Sequence, residues 1–303
     1  MRLALGAALT GLLAACSVVP PPAQQAEVLQ PVRAPAPVPA PAPTPTPTPT
    51  GPTTFLFDGE LEQGGWIRGT VPGGTRSARL GDQELVIDAD GRFFAAFDRD
   101  AGPQAELVAT LADGRIVRSP VAVKPRAWNL ERINAPLRPG GQSSEAFMQR
   151  RKPELDRIWA ARERTTDAEG WKQDFIWPVT GRISGRFGSQ RIYQGEPGSF
   201  HTGLDIAGGA GAPVVAPASG KITLATTQPF SLEGNLVILD HGNGLNSAFL
   251  HLSRIDVSEG QIVRQGDPIG AIGASGRATG PHLHWSIKWH LARLDPLLFL
   301  PPR

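Results

Sequence analysis

Glycine and proline cut this chain into short segments, and that restricts it to architectures built from short strands. There are 35 glycines and 30 prolines in 303 residues. Between them lie brief apolar runs: Trp66 to Val71, Glu84 to Ile87, Phe93 to Phe97 and Ile116-Val117, then Val214 to Ala216, Leu236 to Leu239 and Ile262-Val263. Runs of this length bounded by turn residues read as strands. Asp90-Gly91 and Asp113-Gly114 are hairpin dipeptides, because glycine supplies the positive φ such turns need. Gly266-Asp267-Pro268 and Gly273-Ala274-Ser275-Gly276 mark further turns. The expectation is a mainly β protein, with a small antiparallel, sandwich-like β-domain over 53–124 and a second antiparallel β-domain over 175–303.

The segment between them, 125–174, reads as a helical connector. Ser143 or Ser144 is placed to cap a first helix, and Pro153 suits the first turn of a second one. Leu155, Ile158, Trp159 and Arg162 fall at helical spacing, the first three as a packing stripe. Arg150, Arg151, Lys152, Arg157, Arg162 and Arg164 are interleaved with Glu154, Asp156 and Glu163, which reads as a solvated helix face.

The N-terminus carries a processing signal. Arg2 precedes an apolar run, Leu3 to Ala15, too short to span a bilayer but suited to a signal-peptide core. It ends in Leu13-Ala14-Ala15-Cys16, which resembles the bacterial lipobox. Residues 1–16 are therefore expected to direct lipidation of Cys16, with Ser17 pointing to the outer rather than the inner membrane. Residues 17–52 are rich in Pro, Ala and Thr and include Thr44-Pro45-Thr46-Pro47-Thr48-Pro49-Thr50. Such a composition buries no core. As a semi-rigid spacer it reaches roughly 100 Å at about 3.1 Å per residue. The expected location is the periplasm, anchored to the membrane by lipid.

Charge and cysteine content narrow the chemistry. The formal net charge is +2, which argues against nucleic acid as a partner. Cys16 is the sole cysteine, so a folded domain beyond it has no disulfide, and any metal must be held by nitrogen and oxygen ligands.

All six histidines lie after residue 200. His201-Thr202-Gly203-Leu204-Asp205 opens the series and His282-Leu283-His284 nearly closes it. Gly280 and Pro281 interrupt any helix before the second motif, so it reads as a strand with His282 and His284 on one face. Residues 201 and 205 share a face in an extended chain. Two such strands side by side offer imidazoles and a carboxylate to one ion, a usual zinc set with one position open. Each pair alone is a weak signal. The two together, with His251 in Phe249-Leu250-His251-Leu252-Ser253, are far more specific.

These residues resemble the lysostaphin-type, or LytM-domain, zinc peptidases. The likeness runs from about Pro178 to Asp295 and includes Gly181 to Gly188, His201 to Ala207, Ala216 to Gly220, Asp240-His241-Gly242, His251-Leu252-Ser253 and Thr279 to His284. It implies Zn2+ held by His201, Asp205 and His284, with His251 and His282 handling protons and stabilising the tetrahedral intermediate. It also implies hydrolysis of the peptide cross-links of peptidoglycan, at the D-alanyl–meso-diaminopimelate bond, in wall remodelling or division. The chain has no His-Glu-x-x-His motif, and imidazole, which titrates near neutrality, suits the proton transfer instead. Relatives use a tyrosine upstream of the first ligand to support the oxyanion. Tyr193 fits that place, and a packing role fits it equally. Phe249 stands where family members often carry tyrosine. His241, expected at a strand-end turn, and His290 read as structural or surface residues.

Two other classes remain as expectations to weigh. Some LytM-domain envelope proteins have lost ligands and activate wall amidases without catalysis; this chain keeps all five positions and shows no sustained heptads. A mononuclear iron site also uses His-x-His, but the glutamate it needs after His284 is absent. The 53–124 domain contains no histidine and no catalytic constellation, which leaves it as a spacer or as a docking module for an envelope or divisome protein. If the lipobox reading is right, Cys16→Ser abolishes labelling by a fatty-acid probe and releases the protein from membranes. Persistent labelling of the variant would refute it.

Overall fold

Short strands closed by glycine turns pair mostly in antiparallel fashion, and one long helix lies across them. The computed structural model describes residues 51–136 and 145–302, which belong to a single compact unit, Thr48–Arg303. Cys16, nearly all of the 17–52 spacer, and Ser143 and Ser144 lie outside the described residues.

Seven strands make the N-terminal sandwich. One sheet is ordered β1-β2-β5, from β1 (Leu56–Gly59), β2 (Trp66–Thr70) and β5 (Arg92–Ala96). The other is ordered β4-β3-β6-β7, from β3 (Thr75–Leu80), β4 (Gln83–Glu84), β6 (Gln104–Leu111) and β7 (Ile116–Ala122). Alternation along the strands sends Ile67, Phe93, Ala95, Leu107 and Ala109 into a fully buried interior. The expected strand Glu84 to Ile87 pairs only at its first residue. Leu85 is still buried, with its N–H bonded to the Ala78 carbonyl.

The sandwich does not stand apart. β5 is buried on both faces, and its outer face, with that of β2, packs on the C-terminal domain. Trp66 and Phe94 stack with ring centroids 6.2 Å apart. Trp66 contacts Phe299 at 5.4 Å, Phe299 contacts Phe175 at 5.1 Å, and Phe175 stacks on Trp285 at 6.5 Å. Polar ties flank this column. The Trp66 indole N–H donates to the Leu298 carbonyl at 2.9 Å, Arg126 pairs with Asp295 at 2.8 Å, and Asp98 accepts from the backbone and guanidinium of Arg293.

The connector holds a strand as well as a helix. β8 (Leu130–Ile133) runs parallel to β10 (Gln190–Tyr193), which hairpins with β11 (Glu196–Phe200). Then α1 (Glu145–Glu163) runs as one helix with Pro153 inside it. This corrects the expectation that Pro153 opens a second helix. The lost backbone bond is offset by contacts on either side. Arg151 makes a bidentate pair with Glu233 at 2.6 Å on both arms, and Glu154 accepts from the Ser231 N–H and hydroxyl at 2.8 and 2.7 Å. The face also differs from expectation. Arg151 and Ala161 are the buried residues, Leu155 and Ile158 are half-buried, and Trp159 is exposed. The basic run is therefore not a purely solvated face.

The C-terminal domain is a ten-stranded sheet. Its main path is β17-β14-β15-β16-β19-β12-β9, from β9 (Arg182–Gly185), β12 (Leu204–Ala207), β14 (Gly220–Ala225), β15 (Asn235–Gly242), β16 (Leu245–Ile255), β17 (Ile262–Val263) and β19 (Leu283–Trp289). β13 (Pro213–Val215) pairs with β18 (Pro268–Ile272), β18 also pairs with β16, and β20 (Ala292–Leu294) pairs with β19. α1 lies on one face of this sheet, with Ala161 and Ile158 against Leu224, Phe230, Leu236, Ile238 and Ala248. The opposite face carries Trp285, Ile287 and Phe249, all fully buried.

Phe94 has no exposed surface and touches Trp66, Trp289 and Phe299. Phe94→Ala should cost about 3–5 kcal/mol, the usual range for a buried aromatic. Urea unfolding of the wild type should be a single transition, because the ring joins both domains. A two-step transition in the wild type would show that the aromatic column does not couple them.

Candidate metal centre

The site is assembled by strand register. β12, β19 and β16 lie side by side and antiparallel, and one row across them reads Asp205, His284, Leu250. Directly opposed residues on neighbouring strands share a face, so Asp205 and His284 are brought together by pairing alone. Asp205 Oδ1 stands 2.8 Å from His284 Nδ1. His201 precedes β12 in a loop and folds back over the row. Its Nε2 lies 3.1 Å from Asp205 Oδ1 and 3.1 Å from His284 Nδ1.

Two glycines make room for this. A Cβ on Gly203 would stand 2.5 Å from the Trp285 carbonyl oxygen and 2.7 Å from His284 Nε2. A Cβ on Gly185, at the end of β9, would stand 2.4 Å from Asp205 Oδ2. Neither glycine was picked out by sequence reasoning. The signal was present, since Gly203 sits between the two ligand candidates of the first motif and Gly185 within Gly181 to Gly188.

The other two histidines complete the cluster from β16 and from the residue before β19. Asn235 pairs with Leu252 and Val237 with Phe249, so β16 carries one extra residue there, a β-bulge. His251 sits in the bulge with φ 64°, a left-handed conformation unusual for a residue with a Cβ. The strand is thereby re-aimed, and the His251 ring comes within 5.0 Å of His282 and 6.3 Å of His284. His282 Nε2 is 3.8 Å from Asp205 Oδ1. Phe249, two residues earlier, points to the opposite face and stacks on Trp285 at 6.5 Å. Its side chain belongs to the core, not to the cluster.

Backbone carbonyls fix the ring orientations. His201 Nδ1 lies 3.0 Å from the Arg186 carbonyl, His251 Nδ1 2.8 Å from that of Ser275, and His282 Nδ1 2.8 Å from that of Gly280. Each Nδ1–H donates to its carbonyl, which leaves Nε2 with a lone pair toward the centre, the arrangement typical of imidazoles that bind a metal or take a proton.

The donor set has the chemistry of a cation site. Three ligand atoms, of His201, Asp205 and His284, form a triangle with edges of 2.8, 3.1 and 3.1 Å. Donors held at about 2.0–2.2 Å in a tetrahedron stand roughly 3.3 Å apart, so a slight opening of the triangle lets it take one ion. Burial works to raise the Asp205 carboxyl, but hydrogen bonds from His201 and His284 override it and hold the group well below the usual carboxylate range. Burial likewise opposes charge on His201, and its contact with Asp205 reverses the effect and raises its proton affinity. His251 and His284 are pushed down, mainly by burial.

The cluster opens on two sides. A cleft of about 870 Å³ is lined by His201, Asp205, Tyr193 and Arg277, so Tyr193 faces the same space as two of the ligand candidates. A cleft of about 350 Å³ runs from His284 and Thr202 to α1. The remaining histidines lie elsewhere. His241 is within β15 and completely buried, bonded through Nδ1 to the Ser219 carbonyl at 2.9 Å and through Nε2 to the Ser247 hydroxyl at 2.8 Å. It stands next to the end of its strand as a structural residue of the core, not a surface one. His290 occupies the β19–β20 turn with φ 48°.

Comparison with known proteins agrees with this geometry. Peptidase family M23 matches residues 199–296. The cell division protein DipM of Caulobacter vibrioides is 35% identical over 136 residues, 43% of this chain and 21% of DipM. The peptidoglycan DD-endopeptidase ShyB of Vibrio cholerae is 39% identical over 87 residues, 29% of this chain and 20% of ShyB. The chain thus spans about a fifth of the length of these relatives. A crystal structure of an M23 peptidase from Pseudomonas aeruginosa superposes with a TM-score of 0.59 at 29% identity, covering 79% of this chain and 94% of that one. The matched segment, the shared fold and the histidine–aspartate cluster at its centre identify the C-terminal part of this chain as a LytM-type domain of the peptidase M23 kind.

Proposed function

We propose that this protein is a zinc endopeptidase of the cell envelope that hydrolyses peptide cross-links of peptidoglycan, at the amide between D-alanine and meso-diaminopimelate. The observation that carries the reading is the triangle of His201, Asp205 and His284 beside two imidazoles whose Nε2 atoms are free. His201 Nε2, Asp205 Oδ1 and His284 Nδ1 would hold the ion. Zinc bound there supplies a Lewis acid and lowers the pKa of water toward about 7.

The chain's own residues do the rest. His251, kept neutral by burial, accepts the proton of the attacking water and returns it to the leaving amine. His282, fixed by the Gly280 carbonyl, donates from Nε2 to the substrate oxygen on which negative charge develops, once that nitrogen has taken up a proton. The two clefts on either side of the cluster accommodate the peptide on both sides of the cut. Anchorage through Cys16, with the 17–52 spacer, would place the domain within reach of the wall from the outer membrane. The 53–124 domain would serve as a rigid base or a docking surface for an envelope protein.

Zinc content and digestion of purified sacculi test the assignment together. His284→Ala removes one of three protein bonds to the ion, so zinc and activity should both disappear. His282→Ala should keep its zinc and lose roughly 10²-fold in turnover, the usual scale for a proton-handling group. Equal zinc loss in both variants would overturn the division of roles. A wild-type protein that holds zinc but releases no cross-link fragments, and instead stimulates a wall amidase, would overturn the peptidase reading itself.

Gly203→Ala tests the supporting geometry. The added methyl meets the Trp285 carbonyl and the His284 ring, so zinc affinity should fall about 10- to 100-fold, as for other disturbed ligand supports. Unchanged affinity in a chelator competition would show that the His201–Asp205 loop is looser than its contacts indicate.

A further inference from the structure

The cleft between His284 and α1 contains two cations that nothing in the catalytic cluster uses. On β19, His284, Ser286 and Lys288 alternate onto the face under α1. Lys288 sits opposite Asn246 on β16, and Asn246 Oδ1 accepts from Arg162 of α1 at 2.5 Å. Both side chains are half-buried and line the same cleft as His284. Lys288 Nζ lies 5.3 Å over the Trp159 ring, which walls the cleft from the helix side.

The carboxylates nearby are already engaged. Glu233 lines this cleft, but both its oxygens are taken by Arg151 at 2.6 Å. Asp98 is bound to Arg293, the residue opposite Lys288 on β20. Among the described residues neither Lys288 nor Arg162 has an ion-pair partner. Glu233 and Asp98 act on Arg162 and Lys288 only at a distance, and two like charges drawn into one small cleft without a direct ion pair favour an anion beside them.

We propose that Lys288 and Arg162 form a subsite that binds a carboxylate of the substrate close to the scissile amide. The inference rests on the peptidase reading and adds a reason for its choice of cross-link. In a diaminopimelate cross-link the carbon bearing the amide nitrogen also bears a free carboxylate. In a lysine cross-link it bears none. Lys288 lies four residues along the strand from His284, about 13 Å between backbones, and its long flexible stem shortens that span. The proposal assigns the subsite to the residue next to the cut, with Lys288 and His284 lining one cleft. Arg162 adds a planar fork suited to carboxylate oxygens. Burial, with help from Arg162 and Arg293, lowers Lys288 to about 8, and burial lowers Arg162 to about 10, so both stay largely charged at neutral pH. On this account α1 is a wall of the binding cleft.

The test uses three synthetic cross-linked peptides with D-alanine joined to diaminopimelate, to diaminopimelate with that carboxylate amidated, or to lysine. KM and kcat are measured for the wild type, Lys288→Gln and Arg162→Gln, with zinc content and melting temperature as controls for folding. The wild type should favour the free carboxylate by about tenfold in KM, as expected for one charge-assisted contact. In folded, zinc-loaded Lys288→Gln the ratio between peptides should fall toward one, and in Arg162→Gln it should shrink in the same direction. Equal KM for the free and amidated peptides in the wild type, or a ratio unchanged in folded Lys288→Gln, would overturn the proposal. If the wild type cuts none of the peptides, calorimetric binding of the same three decides. A carboxylate preference that Lys288→Gln removes then sustains the subsite while the peptidase reading falls. Absence of that preference overturns the subsite.

Discussion

The pairing of Asp205 with His284 across β12 and β19 is the constraint on which the centre depends. Antiparallel register sets these two side chains opposite each other, 2.8 Å apart at their polar atoms. His201 is then oriented by a carbonyl so that its free nitrogen points at both. Three electron-pair donors facing one another in a half-buried place repel unless a proton or a cation lies between them. Hydrogen bonds from the two imidazoles hold the carboxyl of Asp205 ionised, and contact with Asp205 raises the proton affinity of His201, whereas burial lowers that of His284. A one-residue slip of β12 would turn Asp205 to the core face and bring Leu204 or Ile206 into its place. The interior contacts of Leu204 and Ile206, both fully buried, therefore lock the register that the chemistry needs.

The parts of this arrangement that follow from local rules were legible in the sequence. His282 and His284 share a face because strand side chains alternate, and the glycine-bounded runs became strands for the same local reasons. His201 was legible only as part of a motif, since its loop conformation depends on Gly203 and on the Arg186 carbonyl fifteen positions earlier. His251 reaches the cluster through a bulge, and nothing in the alternation around residue 251 announces an extra residue. The burial pattern of α1 was misread for a related reason. Arg151 is buried by Glu233, 82 residues away, and a pairing at that distance leaves no periodic trace. Pro153 suggested a helix boundary because propensity is local, and the contacts that override it are not.

The sandwich and the peptidase domain share more than a linker. Trp66 and Phe94 on one side meet Phe299, and Phe299 passes contact to Phe175 and so to Trp285, the residue beside His284. Aromatic contacts of this kind add about 0.5–1.5 kcal/mol each beyond the area they bury. The N-terminal domain, which has no chemistry of its own in the sequence, thus buttresses the back of the strand that carries the front of the site. Sequence patterning shows each domain's interior. It does not show that β5 is buried on both faces, because a doubly buried strand and a strand edge of the same composition read alike.

Helix α1 and strand β19 bring these points together. α1 is pinned at both ends, by Arg151 and Glu154 to Glu233 and Ser231 and by Arg164 to the Thr223 carbonyl, with Thr166 beyond it bonded to Asp240. Its middle therefore holds a fixed distance above the sheet. Along β19 the division of labour is by parity. Leu283, Trp285, Ile287 and Trp289 face the core and the aromatic column, whereas His284, Ser286 and Lys288 face the clefts. One strand thus carries structural residues on one side and a ligand candidate and a charge on the other. The backbone spacing between His284 and Lys288 is fixed by the same strand that the core holds in place. The proposed selectivity for a charged neighbour of the scissile bond would then require no moving part. It would follow from register, from the two-residue repeat of the strand, and from the helix that walls the cleft.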